Sequence, residues 1–151
     1  MGERVAGQQG RFDIPLEALC GARGVLGGLL ATEEGLPVAA RMRSEHDSEA
    51  LAATAASIGL LGSKALASLG KGKLRLAVVD ASKLRFLVRR VSMGFLLVVA
   101  ELETSAGLIA AEMNRAAAAL EEAAGPLGEL ERGNECGEVN DEPDRSPDNQ
   151  S

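Results

Sequence analysis

The 151 residues are enough for one domain plus a tail, and 46% hydrophobic residues with only 2% aromatics give a core of Leu, Val, Ile and Ala. The net charge of −6 is uneven: residues 1–125 carry 14 basic and 14 acidic side chains, and residues 126–151 carry 2 and 8. A neutral body lacks the concentrated positive charge that phosphate backbones need, which excludes nucleic acid as the main partner.

The chain has one His (His46), no Trp and no Tyr. Enzymes hold a tuned acid, base or nucleophile beside a partner group, and no such constellation is visible. The reading is therefore no catalytic residues, no cofactor, no metal, and work done by contact. Cys20 and Cys136 lie far apart in unlike contexts, neither a disulfide framework nor a metal-ligand spacing. The N-terminus lacks the apolar stretch of a secretory signal. Phe95–Ala100, the longest apolar run, is too short to span a bilayer. A cytoplasmic protein without membrane insertion is expected.

In chain order, residues 1–11 read as a flexible arm. Asp13 is placed to cap a short helix through Leu19, with Pro15 in its first turn. Gly24 to Ala31 reads as a central strand and Pro37 to Arg43 as an edge strand, where proline is tolerated. Thr32-Glu33-Glu34-Gly35 joins them as a hairpin loop, with Gly35 free to take positive φ.

Asp47 is expected to cap a helix over 48–69 whose stripe is Leu51, Ala55, Ile58, Gly62, Leu66 and Leu69. Small residues crowd it, and Leu60 and Leu61 lie off the stripe. A helix apolar on two faces is buried on two sides, one of them open to a second subunit.

Beyond Gly70-Lys71-Gly72, the alternation of 73–79 and of 83–89 predicts two strands about a turn at Asp80-Ala81-Ser82. Gly94 marks another turn into a nearly all-apolar central strand, Phe95 to Leu102. Ser105 opens a last helix with Leu108, Ile109, Met113, Ala116 and Leu120 inward, ended by Gly125-Pro126. Residues 126–151 read as an acidic disordered tail. The sum is an α+β sandwich in the order α-β-β-α-β-β-β-α, a five-stranded antiparallel sheet with three helices, spanning 12–125.

Gly62-Ser63-Lys64 and Gly70 to Lys73 do not fit a phosphate loop, since the residue after each lysine is apolar and the local structure is wrong. His46 beside Glu45 and Asp47 reads as an exposed loop residue rather than a metal ligand. Lys71, Lys73, Arg75, Lys83, Arg85, Arg89 and Arg90 read first as a solvated strand face; an acidic partner or the chain's own acidic tail is the functional alternative.

The segment Gly24-Val25-Leu26-Gly27-Gly28-Leu29-Leu30, followed by Thr32-Glu33-Glu34-Gly35-Leu36-Pro37-Val38-Ala39, resembles the opening hairpin of the roadblock family. That family includes roadblock-type dynein light chains and MglB-like regulators of Ras-like GTPases. The element order over residues 13–124 agrees with it. The resemblance implies a dimer, homo- or heterodimeric, built on the second helix and the third strand. In this sequence those positions are Leu51, Ala55, Ile58, Gly59, Gly62, Leu66, Lys73 and Arg75. It also implies binding to a small Ras-like GTPase, with promotion of GTP hydrolysis by biasing the GTPase's own switch region. The alternative is a structural adaptor subunit that touches no GTPase. A small-molecule sensor is disfavoured by the few polar residues converging on apolar faces.

Overall fold

The computed structural model describes the backbone of residues 9–139 and the side chains of residues 10–125. Three helices and five strands follow in the expected order: α1 (Gln9–Cys20), β1 (Val25–Thr32), β2 (Pro37–Met42), α2 (Ser48–Leu69), β3 (Leu76–Asp80), β4 (Leu84–Val91), β5 (Gly94–Glu101) and α3 (Ala106–Val139). Every strand pair is antiparallel, and the sheet order is β2-β1-β5-β4-β3. As its composition demands, β5 lies at the centre, with Gly94 to Ala100 all buried. Pro37 opens the edge strand β2, where its missing N–H costs no ladder bond.

Two apolar layers sandwich the sheet. On one face α1 and α3 pack Leu16, Leu19, Ile109, Met113 and Leu120 against Leu30, Leu87, Leu96 and Val98. On the other, α2 alone packs against Leu29, Val88, Phe95, Leu97 and Val99. The local signals act as their chemistry dictates. The Asp47 carboxylate accepts from the N–H of Glu49 at 3.1 Å and of Ala50 at 3.2 Å, capping α2. Gly35 takes φ 91° in the β1–β2 loop, where Thr32 Oγ1 accepts from Leu36 N–H at 3.1 Å.

Three boundaries and one buried position differ from expectation. Helix α1 starts at Gln9 rather than at an Asp13 cap and carries Pro15 inside it; Phe12, Leu16 and Leu19 are buried on that helix, and their packing holds it despite the proline. Strand β3 starts at Leu76, not Lys73. Buried Leu74 lies against Gly62 of α2, which holds the chain off the β4 ladder until Leu76 pairs with Arg89. In α3, Leu108 is 69% exposed instead of buried. The α3 backbone does break at Gly125 (φ 51°, ψ −129°) but resumes as helix to Val139. Disorder expected from residue 126 is thus corrected over 126–139: proline suits a first helical turn, and Glu and Leu are good helix formers. Residues 1–8 of the expected arm and 140–151 of the expected tail lie outside the described residues.

Candidate functional site

The inward face of α2 is made of its smallest residues, Ala52, Ala55, Ala56 and Gly59. Close approach requires it: a Cβ at Gly59 would fall 2.3 Å from Cε1 of Phe95. The large residues are left on the flank and the outer side. Leu51, Ile58 and Leu66 are half-buried, while Leu60, Leu61 and Leu69 are 45%, 70% and 67% exposed. Over the 22 residues of α2 only Glu49 and Lys64 are charged. Ser57, Leu60, Leu61, Ser63 and Lys64 surround a shallow apolar depression on the outer side.

The expected interface set therefore divides. Ala55 and Gly59 are corrected: both are buried against the chain's own sheet and offer nothing to a second molecule. Gly62 points at its own Leu74, with a Cβ there 3.4 Å from Cδ1. Leu51, Ile58 and Leu66 keep part of their surface in solvent, and Lys73 and Arg75 are exposed. The buried stripe of α2 is rotated from the one its spacing predicts, because the sheet takes the small residues. Leu60 and Leu61, off that stripe, carry the outward apolar surface. By length and composition α2 could also cross a bilayer, although Ser and Gly interrupt its apolar residues.

Strand β3 extends this surface. Among the described residues it pairs with β4 alone, leaving its outer edge of N–H and C=O groups open, and Val78 and Val79 are 45% and 40% exposed. A short, open strand with exposed valines is a template for pairing with another strand. At the opposite edge, α1 packs against β2, and an Arg41–Glu17 ion pair joins the two. Arg43 donates through Nε to Val25 O and through Nη2 to Cys20 O, each at 2.7 Å.

The remaining polar contacts brace the sheet ends. Arg85 Nε meets Asp80 Oδ1 at 2.6 Å and its Nη1 donates to Thr104 O at 2.7 Å. Arg90 pairs with Glu33 at 2.6 Å and lies 5.3 Å above the Phe95 ring. The Asp80 carboxyl is held below the ordinary carboxylate range, chiefly by its hydrogen bond to Arg85. Burial pushes the Cys20 thiol above its ordinary value, and its Sγ–H donates to Arg41 O at 3.2 Å. His46 is exposed, with Nδ1 2.9 Å from Ser44 O. Among the described residues no group of three or more His, Cys, Asp or Glu side chains is arranged to hold a metal ion.

A five-stranded antiparallel sheet with one helix on one face and two on the other, in this order, is the roadblock fold. The Roadblock/LC7 domain profile matches residues 13–101, and the chain belongs to that family. Comparison with curated protein sequences gives no match. Among solved structures, a Roadblock/LC7 domain from Streptomyces avermitilis is 22% identical with a TM-score of 0.68, covering 73% of this chain and 94% of its own. Myxococcus xanthus MglB is 16% identical at a TM-score of 0.70, covering 78% and 90%. The gliding protein MglB from Thermus thermophilus is 18% identical at 0.70, covering 80% and 93%. At these identities the likeness is one of fold.

Proposed function

We propose that the chain is a non-enzymatic, homodimeric regulator in the cytoplasm that binds a small Ras-like GTPase and promotes its GTP hydrolysis. The observation that carries this reading is the outward apolar side of α2 standing next to the open edge of β3. Two copies related by a two-fold axis would bury α2 on α2 and pair β3 with β3, removing both liabilities in one isologous contact. Covering Leu61 and Leu69, 70% and 67% exposed, contributes on the order of 1–2 kcal/mol each. Family membership and the MglB neighbours support a regulatory role. Such a regulator acts by holding the GTPase's switch region in its hydrolysis-ready arrangement, so no catalytic side chain of its own is required.

The test is capture of partners from a source-cell lysate on tagged protein, with GDP or a non-hydrolysable GTP analogue present. A small GTPase retained mainly with the analogue supports the reading and supplies the substrate for a turnover assay. GTP turnover unchanged across a wide dose range removes the activator role. A different subunit recovered equally with either nucleotide replaces the regulator by an adaptor.

A further inference from the structure

Four arginines of the described surface are matched by acids: Arg41 by Glu17, Arg85 by Asp80, Arg90 by Glu33 and Arg115 by Glu112. The ribbon leading into β3 is different. Lys71, Lys73 and Arg75 are all exposed, and none forms an ion pair with another described residue. Arg89, the register partner of Leu76, adds a buried Nε without a hydrogen-bond partner. No acidic residue occurs between Glu49 and Asp80, and Asp80 is already engaged by Arg85. Lys71, Lys73, Arg75 and Arg89 thus stand at one end of the sheet with no ion pair to another described residue.

The other end of the chain leaves the domain at this same end. Glu121 of α3 accepts from Ser92 N at 2.8 Å and from Ser92 Oγ at 2.5 Å. Ser92 stands three positions beyond Arg89 on the β4–β5 turn. The excess negative charge of the whole protein lies beyond this point, in residues 126–151.

We propose that residues 140–151, which carry Asp141, Glu142, Asp144 and Asp148, dock on the Lys71–Arg75 ribbon of their own chain. Chain length sets the reach: the helical stretch 126–139 is about 21 Å long at 1.5 Å per residue, and Asp141, Glu142, Asp144 and Asp148 follow within a further span of about 7–30 Å. Tethering sets an effective concentration of order millimolar. The ribbon has no aromatic side chain for base stacking, which disfavours single-stranded nucleic acid as the occupant. Docked there, the acidic segment screens the ribbon from any acidic partner. The inference goes beyond the GTPase reading and stands without a second molecule.

Zero-length carbodiimide coupling of the full chain tests it, because the protein has only four lysines, Lys64, Lys71, Lys73 and Lys83. The expected products join Asp141, Glu142 or Asp144 to Lys71 or Lys73, several-fold over links to Lys64 or Lys83. Their yield should fall several-fold between about 0.1 M and about 1 M salt, as the Debye length drops from about 10 Å to about 3 Å. Arg75→Glu, an exposed change, should lower the same products while leaving the thermal transition in place. An even spread over the four lysines, an absence of tail links, or yields indifferent to salt and to Arg75→Glu would overturn the proposal. So would mixed-label products from a blend of isotopically light and heavy protein, which would place the tail on another copy.

Discussion

Gly59 lies on the ring of Phe95, so closely that a Cβ would fall 2.3 Å from Cε1 and 2.6 Å from Cδ1 and Cζ. Phe95 is fully buried at the centre of the sheet and cannot retreat. Alanine is favoured over glycine inside a helix by about 1 kcal/mol, yet overpacking a core costs about 1–3 kcal/mol. The contact should win: Gly59→Ala is expected to lower stability by about 1 kcal/mol in urea unfolding. A variant more stable than the parent would show that α2 stands further off the sheet.

Leu61 separates association from folding. Its side chain is 70% exposed, and surface changes of that kind shift monomer stability by about 0.5 kcal/mol or less. Leu61→Glu is therefore expected to keep the fold, by circular dichroism, while weakening self-association by light scattering. It is a better probe than a large residue at Gly62, which would strike Leu74 of its own chain. A Leu61→Glu protein that associates as before would move the interface off the outer side of α2.

At the start of α2, Asp47→Ala removes an acceptor shared by two backbone N–H groups. The expected loss is about 1 kcal/mol, read as a lower thermal midpoint; Asp47→Asn or Asp47→Ser should recover most of it. Equal losses for all three substitutions would mean that charge near the helix end, rather than the cap hydrogen bonds, sets the effect.

Acid titration isolates the pair at the β3–β4 turn. The Asp80 pKa is lowered in the folded state, first by the Arg85 hydrogen bond, and the Arg85 guanidinium is correspondingly held protonated. A depressed carboxylate stabilises the fold fully above its unfolded pKa of about 3.9 and loses that contribution as pH falls through the folded value. Asp80→Asn should therefore flatten part of the decline in stability below about pH 4 while changing little in slope near neutrality. An unchanged acid limb would mean that the exposed pair is screened to insignificance.

Much of this architecture is legible in the residues because its signals are local. Asp47 caps where a short acidic side chain should, Gly35 turns the first hairpin, and the unbroken apolar run of β5 lies at the sheet centre. What escaped needed tertiary information. The burial face of α2 was indistinct because alanine, glycine and leucine surround the helix, and the distance of closest approach to Phe95 selected the small ones. Lys73 to Arg75 alternate like a strand, but Leu74 is taken by α2 before β4 can pair with it. Gly10 and Pro15 argue against a helix starting as early as Gln9, and burial of Phe12, Leu16 and Leu19 overrides them. Of the candidate site, the off-stripe position of Leu60 and Leu61 was visible, whereas the exposure of Val78 and Val79 was not.

The pairing of β1 with β5 joins Val25 to Ala100 and Thr32 to Gly94, so the first strand meets its inner neighbour only when the fifth has been made. During synthesis the β1–β2 hairpin emerges with one long edge empty, and α2, β3 and β4 must all follow before that edge closes. Local hairpins form in about 1–10 μs, but this closure is a late, long-range event that raises the contact order and slows folding. A nascent chain halted anywhere before Gly94 would leave Leu29 and Leu30 without their β5 partners Leu97 and Leu96, which makes the ribosome's pace and its chaperones part of how this small domain reaches its native state.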